Sequence, residues 1–373
     1  MHVSIVRPHE LDADHLTEWR RLQRLDPVLE SPYLCPEFIQ IAAQIRPGII
    51  VAIAEEAGRP VAFLPMQVRR GIAGPVGCPL SDCQAIIAEH EWDGDPREML
   101  RAARVSAYDF NHQRMQPALE SYHKAVFPSP VIDLSDGFDA YVATMRERGR
   151  LAAKRDHLND SNQTGRPHQT IKKVRWVEKH VGPVRFTLHE DNPEALATLI
   201  RWKREQYQRG GEVLPLLDLF KFNWTGELLE RVRTTQSKDF AGVLSTLRIG
   251  DRLVAAHMGM RSHNVLHWWF PAYDKHFAKS SPGLILLLEL SRIAAANGIR
   301  EIELGPGDEP YKELVANSAI MIASGFVGPP SVPLCIRYLA HVAEKMAIRL
   351  PIEQGTWPGR FLRRLDRQRW LRS

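Results

Sequence analysis

Residues 304–312, with the sequence LGPGDEPYK, place an acid, a tyrosine and a lysine after a glycine-rich turn. Tyr311 can return a proton to a departing thiolate, and Lys312 can hold a phosphate or stabilise developing negative charge. We therefore predict both as catalytic residues and Asp308 as a substrate-binding residue. The alternative interpretation is the start of a surface helix, with Pro310 in its first turn and Tyr311 packed on a sheet.

A phosphate-binding function fits another segment better, because Pro310 stands where a dinucleotide fingerprint needs its third glycine. In KSSPGLILLL, residues 279–288, a helix is expected to begin at Pro282, and Gly283 leaves its first backbone N–H groups accessible to an anion. The alternative is a well-capped helix beside solvated lysines. The predicted cofactor-binding residues are Lys275, Lys279, Ser280, Ser281 and Gly283.

Two histidines and an aspartate lie on or beside predicted strands. His257 in VAAHMGM and His267 in VLHWWF can each act as a base, because the charge of an imidazole changes near neutral pH. Asp274 directly follows the second of these strands, where a substrate group could reach it. We predict all three as catalytic residues and the neighbouring Tyr273 as substrate-binding. The alternatives are hydrogen-bonded, half-buried histidines and a loop acid that holds the backbone.

A predicted amphipathic helix over residues 192–209 carries two more candidates. Asn192 and Pro193 are typical of a helix start. Lys203 and Tyr207 are four residues apart, so they share one face of this helix. We predict that they line the groove for the acceptor; the alternative is the polar edge of a packed helix.

The composition is that of an ordinary globular protein. The chain has 373 residues, 44% of them hydrophobic and 25% charged, and a chain of this length usually forms two domains. Its apolar runs are too short to span a membrane and its first residues lack a secretory signal, so we predict a cytoplasmic protein. We predict no disulfide framework and no metal site from four irregularly spaced cysteines, Cys35, Cys78, Cys83 and Cys335.

The elements that position the candidate residues are hairpins alternating with helices. Apolar, β-branched runs around a glycine turn predict a hairpin in residues 49–68, and three further strands follow in residues 240–274. This alternation predicts an α+β (mixed α/β) fold, with a mostly antiparallel sheet flanked by helices, rather than a doubly wound parallel sheet. We place a first unit at 1–136, a basic helical segment with a polar insert at 137–182, a second unit at 183–330 and a basic helical tail at 331–373.

The hairpins of the two halves resemble each other. VAIAEEAGRPVAFLPMQVRRG in the first half aligns without gaps on LSTLRIGDRLVAAHMGMRSHN in the second. The matched residues are Arg59 with Arg252, Val61 with Val254, and Ala62 with Ala255. This similarity suggests two copies of one hairpin-bearing unit, and chance similarity between two hairpins is the alternative.

With this duplication, the chain resembles the GNAT-like acetyltransferases often labelled cellulose-biosynthesis protein CelD. The resemblance rests on WKREQYQRGG, on FPAYD, SPG and LGPGDEPYK at their spacings within residues 250–312, and on SPYLCPEF and GPVGCPLSDCQ in the first half. Members are similar to Fem-type aminoacyl transferases, which carry two GNAT-like units in tandem. The resemblance implies this tandem fold, with Tyr311 and Lys312 at the acceptor site.

The resemblance also implies an activity: transfer of an acetyl or other acyl group from acyl-coenzyme A to an amine or hydroxyl of a small or saccharide acceptor, in exopolysaccharide or cellulose biosynthesis. The second unit would bind the cofactor and carry the chemistry, and a degenerate first unit would shape the acceptor cleft. Two alternatives stay open. One is a Fem-like aminoacyl transferase that binds charged tRNA, although nucleic acid is otherwise not an expected partner; the other is an inactive accessory subunit of polysaccharide synthesis.

The C-terminal tail gives an expectation about location. Its sequence WPGRFLRRLDRQRWLRS mixes aromatic side chains with arginines, as an interfacial helix does. The tail could place the protein at the periphery of the inner membrane or against a synthase complex. The alternative is a basic helix that packs on its own domain.

Overall fold

The structure, a computed structural model, describes residues 2–155, 166–209, 219–307 and 309–349. These residues form two compact units. The first unit contains the described residues up to Phe127 and those from Met321 onward, and the second runs from Pro128 to Ile320. The basic helical segment therefore belongs to the second unit, whereas the described part of the predicted tail belongs to the first.

The elements from the N-terminus to the middle of the chain alternate short helices with strands. They are β1 (His2–Val6), α1 (Ala13–Leu25), α2 (Pro36–Ile45), β2 (Ile49–Glu56), β3 (Arg59–Arg69), β4 (Ile72–Gly74), β5 (Ile87–Ala88), α3 (Pro96–Ala102), β6 (Ala107–Arg114), α4 (Pro117–Glu120) and β7 (His123–Asp133).

The second half begins with the two basic helices and then repeats this alternation. Its elements are α5 (Phe138–Arg155), α6 (Pro167–His180), β8 (Val184–Thr187), α7 (Pro193–Arg209), α8 (Asn223–Thr234), β9 (Ala241–Ile249), β10 (Arg252–Arg261), β11 (Val265–Tyr273), α9 (Pro282–Ala296), β12 (Glu301–Glu303), α10 (Pro310–Val315), β13 (Ser318–Val327) and α11 (Val332–Arg349).

Among the described residues, the first unit has seven strands, including β5 beside β3, and the second unit has six; each set is mostly antiparallel with one parallel pair of strands. The order is β1-β2-β3-β4-β6-β13 in the first unit and β8-β9-β10-β11-β12-β7 in the second. In the first unit only β4 and β6 are parallel, and in the second only β11 and β12. The predicted mixed fold is confirmed.

The same series of elements occurs twice. Apart from the short strand β5, the series from β1 to β7 and the series from β8 to β13 both run strand, two helices, three strands, helix, strand, helix, strand. The last strand of each series pairs with a strand of the other series, β7 with β12 and β13 with β6. The chain is therefore a tandem repeat whose final strands are exchanged.

The two hairpins found by internal comparison share a detail beyond their turns. Both turns contain two residues, with Glu56 opposite Arg59 in one hairpin and Ile249 opposite Arg252 in the other. The register of each hairpin then shifts by one residue, which leaves Val61 and Val254 without a cross-strand partner. A β-bulge at the same aligned position supports a true repeat rather than chance similarity.

The core of the second unit lies between its sheet and the helices α5, α6 and α9. The long apolar helix α9 buries most of its length here, as the predicted helix over residues 282–297 implied. One prediction needs correction: the polar insert was expected as a loop over residues 159–170, but residues 167–170 form the first turn of α6, because Pro167 suits the first helical position. Residues 159–165 of that insert lie outside the described residues. None of the described helices is long and apolar enough to cross a membrane.

Candidate active site

The candidate active site lies at the end of β11, where this strand separates from β12. The parallel pairing of the two strands ends at His267 with Glu303, whereas β11 continues to Tyr273. Among the described strands, residues 268–273 therefore pair on the β10 side only. Such an edge presents backbone N–H and C=O groups that a bound molecule can use.

A β-bulge marks the start of this free edge, and His257 on β10 accepts a hydrogen bond from the backbone of the bulge. Trp268 and Trp269 of β11 lie opposite the single residue Gly259 of β10. The backbone N–H of Trp269 donates to Nε2 of His257 over 3.3 Å, and the imidazole stacks on Trp268 with 4.1 Å between ring centroids. A Cβ at Gly259 would overlap the His257 ring and the carbonyl oxygen of His267, so the arrangement requires glycine.

His257 is fully buried, and burial together with the neighbouring His267 lowers the pKa of its imidazole well below the ordinary value. The ring is therefore neutral at neutral pH, as its acceptor function requires. These contacts give His257 a positioning function within β11, and its predicted function in catalysis stays a prediction.

His267 forms a buried pair with Glu303, a residue that the sequence analysis did not identify. Nδ1 of His267 lies 3.7 Å from Oε2 of Glu303, and the two residues are 1% and 5% exposed. An imidazole beside a buried carboxylate can take up or release a proton. Glu303 was missed because its position beside His267 depends on the pairing of β11 with β12, which local sequence does not show.

Asp274 is bound to neighbouring protein groups. Its carboxylate accepts from the backbone N–H and Nδ1 of His276 and, over 2.8 Å, from the guanidinium of Arg252. Burial raises the pKa of Asp274, but these hydrogen bonds outweigh burial and lower it below the ordinary value. The contacts match the alternative of a loop acid, which here begins the short 3-10 helix Lys275–Ser280.

The predicted cofactor-binding residues come together around the start of α9. Lys275 and Lys279 are exposed, whereas Ser280 is buried. Among the described residues no side chain caps the first turn of α9. A Cβ at Gly283 would have Cδ1 of the exposed Tyr273 as its nearest neighbour, at 3.6 Å, so the turn leaves room for a bound group.

Ser281 connects this turn to a further positive charge. The residue has a left-handed φ of 50°, and its Oγ lies 2.8 Å from Nζ of Lys173 in α6. Lys173 therefore places an ammonium group beside the helix start, where it would attract an anion. Lys173 could not be recognised from the sequence as part of this site, because it lies 108 residues away from Ser281.

The buried side chain of Lys312 binds several other residues of the LGPGDEPYK loop. It is 4% exposed, and its Nζ donates to the carbonyl oxygens of Gly305 and Pro306, each over 3.0 Å, and pairs with Glu309 at 2.8 Å. These partners match the three N–H donors of an ammonium group. Contact between Lys312 and an acceptor stays a prediction, and Asp308 lies outside the described residues.

Tyr311 packs against the core of the second unit. Burial, with the nearby Glu309 carboxylate, raises the pKa of the Tyr311 hydroxyl, although the indole of Trp268 opposes this rise. The phenol is therefore protonated at neutral pH, so it can donate a proton.

Lys203 reaches the same region from α7. Its Nζ donates to the carbonyl oxygen of Pro271, on the free edge of β11, over 3.0 Å. Burial lowers the pKa of Lys203 to about 8; Lys312 also lowers it, whereas Glu309 raises it. Tyr207 lies beside it, 5.8 Å from Nζ to the ring centroid, and stacks on Phe220. The structure thus brings the two predicted acceptor-side residues to the end of β11.

Comparison with known proteins identifies the second half. Residues 166–313, from α6 into α10, match the family model described as an acetyltransferase (GNAT) domain. Residues 166–313 are therefore similar to acetyltransferase domains of the GNAT type. A search of curated proteins found no match. Among the described residues, no group of three or more His, Cys, Asp or Glu side chains could hold a metal ion.

Solved structures are similar to this chain at low sequence identity. FemX is 8% identical, with a TM-score of 0.55 over 87% of this chain and 96% of that chain. A tandem GNAT protein from the clavulanic acid biosynthesis pathway is 9% identical, with a TM-score of 0.43 over 88% of this chain and 100% of that chain. The similarity to FemX concerns the fold alone, and the CelD type stays a prediction.

Proposed function

We propose that the second unit is an acyltransferase that moves an acyl group from acyl-coenzyme A to an amine or hydroxyl of a small or saccharide acceptor. The observation that carries this proposal is the uncapped start of α9 beside the free edge of β11. Acyl-coenzyme A would supply an activated thioester. A link to exopolysaccharide or cellulose biosynthesis is supported only by the sequence resemblance to the CelD type.

The start of α9 suits the pyrophosphate of coenzyme A. Helix N-termini favour anions because their backbone N–H groups carry partial positive charge. Gly283 leaves space at this turn, and Lys173 adds a fixed positive charge through Ser281. The exposed Lys275 and Lys279 add charge nearby.

The residues at the end of β11 provide two routes for protons. Lys203, with a pKa of about 8, is partly neutral near neutral pH, so it can accept a proton from an acceptor amine or hydroxyl. Tyr311 keeps its proton at neutral pH and can give it to the departing thiolate. The buried pair His267 and Glu303 lies at the last paired position of the two parallel strands.

Calorimetry with acetyl-coenzyme A and longer acyl-coenzymes A tests the proposal. Gly283→Asp places a carboxylate at the proposed pyrophosphate position, and we expect it to weaken binding by at least about tenfold. Gly226→Asp, in the first turn of α8 where a Cβ meets no atom within 4 Å, is the matched control and should bind as the natural chain does. Equal binding by both variants, or no binding by the natural chain, would refute this cofactor site.

The same samples separate the alternatives. Strongly salt-dependent binding of tRNA without binding of acyl-coenzyme A would support a Fem-like aminoacyl transferase. An inactive accessory subunit would neither bind acyl-coenzyme A nor release free thiol with candidate acceptors, and it would co-purify with synthase components.

A further inference from the structure

Two lysines of the second unit differ in the groups that accept their hydrogen bonds. Nζ of Lys312 donates to two backbone carbonyl oxygens and pairs with the carboxylate of Glu309 at 2.8 Å. Nζ of Lys203 donates to the carbonyl oxygen of Pro271 over 3.0 Å and to Oε1 of Gln206 over 3.3 Å. An ammonium group has three N–H donors, so Lys203 uses two of them within the described part of the chain, and neither partner is a carboxylate.

The surroundings of Lys203 favour its neutral form. A paired carboxylate stabilises the charged form of an amine, whereas burial stabilises the neutral form. No described carboxylate lies within ion-pair distance of the Lys203 nitrogen. Burial lowers the pKa of Lys203 to about 8, although Glu309 opposes this change. A neutral amine has an available electron pair, so Lys203 is a nucleophile in slightly alkaline solution.

The Lys203 nitrogen lies at the free edge of β11. Its acceptor Pro271 belongs to residues 268–273, which pair with β10 and with no other described strand. Gln206 and Tyr207 lie on the same face of α7, and the centroid of the Tyr207 ring is 5.8 Å from Nζ. Under the proposed function the thioester of acyl-coenzyme A lies along this edge, so the amine is placed to meet its carbonyl carbon.

Other potential nucleophiles are less suited to this reaction. The four cysteines all belong to the first unit. The Tyr311 hydroxyl keeps its proton at neutral pH, because burial raises its pKa. The ring of His257 is fully buried, and its Nε2 already accepts from the backbone N–H of Trp269. Among these groups, Lys203 alone combines an available electron pair with a place at the free edge.

We propose that Lys203 is a self-acylation site, an inference that rests on the proposed function. When no acceptor is bound, the Lys203 nitrogen attacks the carbonyl carbon of the bound acyl-coenzyme A. A C–N bond forms, the C–S bond breaks, and the proton that the nitrogen loses goes to the departing sulfur. The products are an amide on Lys203 and free coenzyme A, so no further reactant is needed.

Acylation of Lys203 regulates the same site. An amide nitrogen is neither basic nor positively charged, so the modified side chain can no longer accept a proton from an acceptor. It also has one N–H instead of three, and it cannot donate to both Pro271 and Gln206. The reaction therefore inactivates the transferase when acyl-coenzyme A is present and its acceptor is absent.

Mass spectrometry of the full chain after incubation with acetyl-coenzyme A, without an acceptor, tests the proposal. We expect a single acetyl group, located on Lys203 by peptide mapping, and release of an equal amount of free coenzyme A. At a pH of about 8 an ordinary lysine is almost fully charged, so Lys203 should react at least about tenfold faster than the exposed Lys238. The rate should level off at high acetyl-coenzyme A, and Gly283→Asp should lower it, because binding precedes the transfer.

Variants and a second reagent separate this site from general chemical labelling. Lys203→Arg keeps the positive charge but has no nucleophilic amine, so it should stay unmodified at this position. Lys238→Met is the matched control and should be acetylated on Lys203 as the natural chain is. Acetic anhydride labels lysines without a bound cofactor, and the reactivity of Lys203 toward it should rise with pH around the pKa of about 8. Thermal unfolding of each variant shows whether its fold is intact.

Binding and acetylation are measured separately, so the proposed function and the self-acylation site can fail separately. If acetyl-coenzyme A binds in calorimetry but Lys203 stays unmodified, the self-acylation site is wrong and the proposed function is unaffected. Equal acetylation of Lys203 and Lys238, at a rate that rises in proportion to the reagent, would show chemical labelling only and would also overturn the site. No binding at all would refute the proposed function and this inference with it.

Discussion

The two repeats differ most at the helix that follows the third of their three consecutive strands, which is β4 in the first repeat and β11 in the second. In the first unit this helix is α3, seven residues long, and the carboxylate of Asp95 accepts from the backbone N–H of Arg97 at its start. In the second unit it is α9, fifteen residues long, and none of the described side chains caps its first turn. The first repeat thus satisfies its helix start with its own carboxylate, whereas the second has no such cap among the described residues.

The two repeats also differ in whether another segment of the chain pairs along the edge of the strand near this helix. In the first unit, Gln84 forms a parallel bridge to Gln113 of β6, and its side-chain oxygen accepts from the backbone N–H of His112. The chain itself therefore occupies the edge of β6. In the second unit, residues 268–273 of β11 pair with β10 and with no other described strand. The two repeats therefore differ in whether the chain itself pairs along this part of the sheet.

The residues that shape the free edge also distinguish the repeats. In the internal alignment His257 and Gly259 fall on Leu64 and Met66. The bulge at Trp268 and Trp269 needs an acceptor on β10 and a position without a Cβ, and the first repeat has neither.

The largest effect is expected from Gly259→Met, which introduces the residue of the first repeat. Its Cβ would overlap the carbonyl oxygen of His267 and the His257 ring, so we expect a loss of more than about 4 kcal/mol of unfolding free energy. Urea unfolding measures this loss. Gly226→Met, at a site with open space, is the control; equal stability of the two variants would contradict the described bulge.

A smaller effect is expected from His257→Leu, again the residue of the first repeat. It leaves the buried N–H of Trp269 without its acceptor, at a cost of about 1–3 kcal/mol, and should weaken acyl-coenzyme A binding. His257→Gln retains an acceptor and should recover part of both losses. If Leu and Gln behave alike in unfolding and in calorimetry, the hydrogen bond does not hold the edge.

Lys203 has no counterpart in the first repeat, because the corresponding helix α1 contains no lysine. Its pKa falls from an ordinary 10.5 to about 8 in the folded chain, so between these values the unfolded chain holds more protons. Stability should therefore rise with pH from about 8 to about 10.5, by about 1–2 kcal/mol after solvent screening. Chemical unfolding of Lys203→Met across this range should lack the rise, whereas the exposed Lys279→Met should keep it.

The smallest effect concerns the capped helix of the first unit. Asp95→Ala removes the cap of α3 and should cost about 1 kcal/mol of unfolding free energy. It should not create acyl-coenzyme A binding in a Gly283→Asp background, because Gln84 still occupies the edge of β6. Calorimetry that detects such binding would show that the cap alone separates the two repeats.

Much of the fold could be predicted because its signals are local. The hairpins β2–β3 and β9–β10 and the helices α7 and α9 follow from apolar periodicity, glycine turns and prolines at helix starts. The strands β6, β7 and β13 were not predicted. The pairing of β7 with β12 and of β13 with β6 joins distant parts of the chain, and β7 also contains two prolines.

The residues of the candidate site also divide into those that local sequence predicts and those that depend on tertiary contacts. The sequence alone determined the helix start at Pro282 and Gly283 and the histidines on their strands, because these depend on neighbouring residues. Only the tertiary structure paired His267 with Glu303 and Lys173 with Ser281, enclosed Lys312 within its own loop, and lowered the pKa of Lys203. Burial and long-range contacts set the chemistry of a side chain, and neither is encoded in local sequence pattern.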